Sequence, residues 1–190
     1  MSQGDNLFGK KTTYKKIIMR SRFETKIAYF LDCLKIKWEY EPKCFLLSEG
    51  MYYLPDFFLP ELNMWIEAKG LIEEHNKEIS RCFVKDNNTE LLLIAPRETQ
   101  WFSMKDYNEG ICEDNEVFLG KCSHCGSYFF TSNLGWYFCR KCKAYEGDHD
   151  LLHDTYGEKS NTPGLFLQEN IDFSDINSIK EGLEGYGVSI

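Results

Sequence analysis

A mixed-sheet α/β fold, running helix, three strands, helix, strand and followed by a small cysteine-held appendage, is predicted by three features of this 190-residue sequence. A helical apolar period over residues 21–34 leads into short aromatic strands that end in a Glu-Ala-Lys triplet. A polar helical pattern then precedes the unbroken apolar run TELLLIAP, and a strand, a crossover helix and a second strand make a parallel pair. Finally, two Cys-x-x-Cys pairs stand thirteen residues apart. At 43% hydrophobic and 27% charged, the composition suits one core plus such an addition and excludes disorder over the whole length. No apolar run approaches the roughly 18 residues of a membrane span, and MSQGDNLFGKK lacks a signal-peptide pattern, so a cytoplasmic protein with no membrane partner is expected.

Taken in order, Phe23, Ile27, Ala28, Phe30, Leu31 and Leu34 recur at helical spacing, with Ser21 placed to cap. IKWEYEP begins a strand. MYYLPDFFLP (51–60) is aromatic-rich, and NMWIEAKG (63–70) alternates Met64, Ile66 and Ala68 against Trp65, Glu67 and Lys69. These two read as neighbouring strands joined by a turn at Pro60 to Asn63. Residues 72–84 read as a helix, and 89–96 as a buried strand inside the sheet. Tyr52, Tyr53, Trp38 and Tyr40 could stack on bases, but aromatics that alternate along strands read rather as core. Cys33 and Cys82, on apolar helix faces, read as core thiols.

Charge is unevenly spread. The formal net charge of −8 argues at first against a nucleic-acid partner. Residues 10–37 nevertheless carry nine Lys or Arg against Glu24 and Asp32, a local +7, whereas residues 144–190 carry a local −8. A polyanion responds to the local field, so Lys11, Lys15, Lys16, Arg20 and Arg22 are candidate phosphate contacts.

The alternation in NMWIEAKG puts Glu67 and Lys69 on one face, about 7 Å apart along the strand. Asp56, eleven positions earlier, opens the adjacent strand. Two carboxylates from neighbouring strands make a hard oxygen site suited to Mg²⁺, and a lysine beside them can orient or deprotonate a water and offset phosphate charge. Those groups are what phosphodiester hydrolysis requires.

These residues resemble the PD-(D/E)xK nuclease superfamily, which has a restriction-endonuclease-like αβββαβ core. Pro55-Asp56 matches the first half-motif and Glu67-Ala68-Lys69 the second. Glu24 in RSRFET resembles the helix-borne glutamate of many members, and WEYEP and YLPDF are similar to a phage and mobile-element branch. The resemblance spans residues 18–96. It implies a DNA endonuclease dependent on Mg²⁺ or Mn²⁺, leaving 5′-phosphate and 3′-hydroxyl ends, in the cytoplasm of a bacterial or phage-infected cell. In that carry-over Asp56, Glu67 and the Ala68 carbonyl hold the metal, Lys69 serves the attacking water and Glu24 supports the metal shell. The sequence leaves open a non-catalytic DNA-binding or protein-interaction adaptor that keeps the fold, and also pairing into a homodimer.

Cys122, Cys125, Cys139 and Cys142 supply four thiolates at the spacing of a closed tetrahedral Zn²⁺ site, with no open position for catalysis. The segment between the pairs reads as a hairpin turning at Asn133 to Gly135. Residues 117–146 resemble a zinc ribbon, expected to be structural, to present Arg140 and Lys141 to DNA, or to meet a protein partner. His149 and His153, spaced four apart, could form a second site with Asp150 or Asp154 but read rather as a polar surface helix. The acidic tail reads as solvated surface, with one short docking helix from Ser174 through Ile176, Ile179 and Leu183. The expected organisation is thus a nuclease-like domain over 1–110, a zinc ribbon over 117–146 and a tail over 147–190.

Overall fold

A computed structural model of the chain describes residues 10–104, 110–122, 124–132, 137–147, 165–167 and 171–190. A hairpin of β1 (Thr12–Tyr14) and β2 (Ile17–Met19) comes first. Its register leaves Lys15 and Lys16 as a two-residue turn, and both have positive φ, at 47° and 70°. That is the primed geometry whose twist matches a hairpin, here adopted by two lysines.

Helix α1 (Arg22–Cys33) starts because the Ser21 hydroxyl accepts from the Glu24 amide at 3.1 Å, capping an otherwise orphaned donor. It stops at Lys35, whose φ of 57° lets the amides of Lys35 and Ile36 turn back onto the carbonyls of Asp32 and Leu31. Phe23, Ile27, Ala28, Phe30 and Leu31 form its buried face.

The main sheet has six strands in the order β10-β9-β8-β7-β6-β3. These are β3 (Glu39–Tyr40), β6 (Phe57–Leu59), β7 (Met64–Ala68), β8 (Glu90–Ala95), β9 (Glu98–Met104) and β10 (Ile111–Asp114). Only β7 and β8 are parallel, joined through α2 (Glu74–Asn87), so the sheet is mixed and β8 is internal, as expected. Beyond Pro96 the sequence reading places no strand. The chain instead turns at Pro96 and Arg97 and returns as β9, and β10 then adds an edge that carries the sheet to Asp114.

Alternation along β7 sorts the two faces as the sequence predicts. Met64 and Ile66, with Phe57, Leu59, Leu92 and Ile94, pack under α1. Trp65, with Leu91, Leu93 and Phe102, packs under α2 and a small hairpin of β4 (Phe45–Leu46) and β5 (Tyr52–Tyr53). There Phe45, Tyr53 and Trp65 meet the Phe83 ring edge-on at 5.0, 5.0 and 5.8 Å, contacts worth about 1 kcal/mol each beyond burial.

Beyond the sheet, β11 (Val117–Lys121) pairs with β12 (Tyr128–Ser132) and with β15 (Leu165–Phe166), and β13 (Tyr137–Phe138) pairs with β14 (Tyr145–Gly147). The expected hairpin across residues 128–138 is therefore replaced by two hairpins, each closed by its own cysteine pair. Its turn at Asn133 to Gly135 lies outside the described residues, as do His149 and His153. The cysteine segment shares the core under α1. Val117, Leu119, Phe129 and Phe130 share one buried cluster with Phe23, Phe30 and Ile66, and the Phe30 ring of α1 meets Phe130 at 6.2 Å.

The docking helix of the tail is α3 (Ile176–Gly185). Its cap is Asp175, which accepts from the amides of Asn177 and Ser178, and not Ser174. Ile179 and Leu183 are buried in the same cluster, the Tyr186 hydroxyl donates to the Leu119 carbonyl at 3.1 Å, and Lys26 donates to the Ser174 carbonyl. Among the described residues, no helix is long and apolar enough to cross a membrane.

Candidate active site and metal centre

A cleft of about 680 Å³ opens at the sheet end where α1 begins, lined by Arg20, Glu24, Tyr52, Asp56, Glu67 and Lys69 among others. Strand pairing brings the carboxylates together. The β6–β7 register matches Phe57 with Ile66, and just past that pair Asp56 and Glu67 both enter the cleft. Both are nearly shielded from water, at 3% and 4% exposure. Asp56 Oδ1 accepts from Arg20 Nη2 at 2.9 Å and Oδ2 from the Ala68 amide at 2.7 Å. Glu67 Oε1 accepts from Lys69 Nζ at 2.5 Å and Oε2 from the Tyr53 hydroxyl at 3.1 Å. Lys69 lies just past β7, held by its amide on the Ile94 carbonyl at 2.8 Å, so the parallel pairing positions it.

Electrostatics reflect this crowding. Burial, then the charge of Glu67, drives the Asp56 carboxyl well above the usual carboxylate range, against the Ala68 amide and Arg20. Burial, then Glu67 and Asp56, holds the Tyr53 phenol protonated and able to donate. Although burial works against charge on Arg20, Asp56, Tyr40 and Glu41 outweigh it and keep the guanidinium ionised.

Glu24 is 6% exposed, and its carboxylate accepts from the Ser21 hydroxyl at 2.7 Å, the Arg20 amide at 3.0 Å and the Tyr40 hydroxyl at 2.5 Å. It is at once a helix-cap partner and a third negative charge acting on Asp56. Of the other basic candidates, only Arg20 reaches the cleft. Lys15 pairs with Asp32 at 2.9 Å, Lys11 and Lys16 are exposed on the first hairpin and its approach, and Arg22 is half-buried in the first turn of α1. Arg140 chelates Glu90 at 2.9 Å and lies over the Trp101 ring, while Lys141 meets Glu61 at 3.1 Å. Those two sit with acids on the cysteine side.

Sequence reasoning missed the supports: Tyr53 under Glu67, Tyr40 under Glu24, Arg20 on Asp56, and His75 and Asn76 of α2 along the cleft wall. Tyr53 was legible in principle. Its strand parity opposes that of Tyr52, and one of two adjacent tyrosines on a half-buried strand must face inward. The aromatics do not share one fate, for Tyr53 is core, Trp38 and Tyr40 are half-buried, and Tyr52 is 75% exposed. Cys33 and Cys82 are likewise only half-buried.

The second centre is the cysteine cluster. Cys122, Cys125, Cys139 and Cys142 present sulfurs within 4.8 Å of one another, the one such group of three or more ligands among the described residues. Cys122 to Cys142 and Cys125 to Cys139 are each 3.6 Å. A tetrahedron with Zn–S bonds of about 2.3 Å has edges of about 3.8 Å, so four cysteines stand positioned for one Zn²⁺. The two knuckles repeat one geometry. Cys122 and Cys139 each accept at the carbonyl from an amide four residues on, at 2.9 Å, and at Sγ from the amide of the pair's second cysteine, at 3.5 Å. Gly126 and Lys143, at matching positions, both have positive φ, 68° and 63°. Hydrogen bonding from Ser127 lowers the Cys125 thiol to about 6, towards the thiolate a metal requires. The chain matches no family model and no curated protein.

Proposed function

We propose that the chain is a Mg²⁺-dependent nuclease that hydrolyses DNA phosphodiester bonds on a restriction-endonuclease-like αβββαβ core, with a zinc ribbon as a structural element. The observation that carries this is the meeting of Asp56 and Glu67 in one cleft, with Lys69 next on the same face.

The donor set fits a hard divalent cation. Burial, and then the charge of Glu67, pushes Asp56 upward, and a 2+ charge between oxygen ligands offsets both. Asp56, Glu67 and the Ala68 carbonyl would hold the ion, which when bound supplies Lewis-acid activation of water and neutralises phosphate charge. Lys69, 36% exposed, swings its ammonium between Glu67 and a phosphate oxygen or the attacking water. Arg20 fixes Asp56 and adds positive charge at the cleft mouth. Tyr53 orients Glu67, and Glu24 holds the Arg20 backbone, so these two position groups without touching substrate.

The test is cleavage of supercoiled and branched DNA with and without Mg²⁺. Asp56→Ala and Lys69→Ala each lower the rate by at least about a hundredfold, the scale of removing one charge-stabilising or acid–base group. Cleavage that survives both substitutions overturns the assignment.

A further inference from the structure

We propose that Tyr52, with Leu46 beside it, is a stacking platform for an unpaired base of the DNA strand, so that the site prefers single-stranded or locally unpaired DNA over intact duplex. This rests on the hydrolytic reading of the same cleft. The register of β4 and β5 sets Leu46 directly opposite Tyr52 and Phe45 opposite Tyr53. Directly opposed residues share a face, so the hairpin has an inner pair and an outer pair. The inner pair is locked, with Phe45 and Tyr53 both against Phe83 and the Tyr53 hydroxyl on Glu67. The tip is tied to α2 by the Ser48 amide on Asp86 Oδ2 at 2.6 Å. The outer pair is left in water, Leu46 at 63% and Tyr52 at 75% exposure, on a rigid support. Tyr52 also lines the cleft that holds Asp56, Glu67 and Lys69.

Charge selects the occupant. The cleft places Arg20 and Lys69 beside a cation-binding carboxylate pair, a setting for a phosphate, and a nucleotide carries a flat apolar ring one sugar away from its phosphate. A base within a duplex has both faces already stacked. Only an unpaired base offers a face to Tyr52, which makes the platform a determinant of substrate structure rather than of sequence.

The experiment uses the full-length, zinc-loaded protein with Ca²⁺ in place of Mg²⁺, titrated onto a single-stranded oligodeoxynucleotide containing 2-aminopurine and onto its duplex. Wild type binds the single strand and quenches the fluorophore. Tyr52→Ala loses about tenfold in single-strand affinity, with the quench, and leaves duplex binding unchanged, while Tyr52→Phe retains both. A Tyr52→Ala variant that quenches like wild type, an equal loss on both DNAs, or a wild type that ignores single strands overturns the platform. Cleavage dependent on Asp56 and Lys69 alongside any of those results overturns the platform alone. Quenching through Tyr52 by a chain that cleaves nothing overturns the hydrolytic reading alone.

Discussion

Asp56 and Glu67 stand together in the cleft with almost no water between them and the protein, and this arrangement costs the fold stability when no cation is bound. The sign follows from the raised Asp56 carboxyl. An acid whose folded-state pKa lies above its unfolded value of about 4 favours the folded state at low pH, and that advantage is lost as pH rises through the folded pKa. Asp56→Asn removes the charge and keeps an oxygen for the Ala68 amide. In the zinc-loaded protein without Mg²⁺, it therefore raises stability at pH 8 by on the order of 1 kcal/mol, and the gain shrinks towards zero near pH 4. Denaturant midpoints of both proteins across that range check this, and an Asn variant less stable at pH 8 would show that the Arg20 ion pair outweighs the repulsion. At this scale Glu67 and Lys69 were legible because strand parity assigns their face, and Asp56 because Pro55-Asp56 resembles a half-motif. Their supports were not. Tyr40 reaches Glu24 across 16 residues and Arg20 reaches Asp56 across 36, and no local pattern encodes a partner so distant.

The elements divide by whether their signal is local. Helix α1 was readable end to end because cap and period lie inside its own sequence, and β7 because its alternation does. Strand β9 was hidden by Pro96, which reads as a stop but here begins a two-residue reversal. The cysteine hairpins were mispaired for a related reason. Spacing identifies ligands, yet β12 and β13 find partners in β11 and β14, outside the segment between the pairs. What closes each hairpin is a turn requiring a left-handed residue, and one knuckle uses Gly126 whereas the other uses Lys143. A side chain in that conformation carries a steric cost that glycine avoids. Lys143→Gly therefore stabilises the zinc-loaded protein by up to about 1 kcal/mol, seen as a higher thermal midpoint, and Lys143→Ala, which keeps the Cβ, does not.

For the molecule as a whole, the consequential finding is that the cysteine cluster and the cleft share a core. Cys122 and Cys139 are buried in the cluster that holds Phe23, Ile27 and Phe30 of α1, and the Phe30 ring meets Phe130 at 6.2 Å and Phe173 at 5.0 Å. The start of that helix carries Arg20, Ser21 and Glu24 into the cleft. Four-sulfur zinc sites supply on the order of 10 kcal/mol to the folding of the segments they tie, comparable with the whole stability of a domain. Without zinc, β11 to β14 lose their cross-link, and one side of α1 loses its packing. A chelator selective for zinc is thus expected to lower hydrogen-exchange protection of the α1 amides over residues 22–33 along with that of the knuckles. The β7–β8 amides, buried between both faces of the sheet, lose less. A ribbon that folded by itself would release zinc and leave α1 protection unchanged. If the cleft cleaves DNA as proposed, the same coupling predicts that Cys139→Ser, remote from every cleft residue in sequence, impairs that cleavage through the position of Glu24 and Arg20, and restoring zinc does not rescue it.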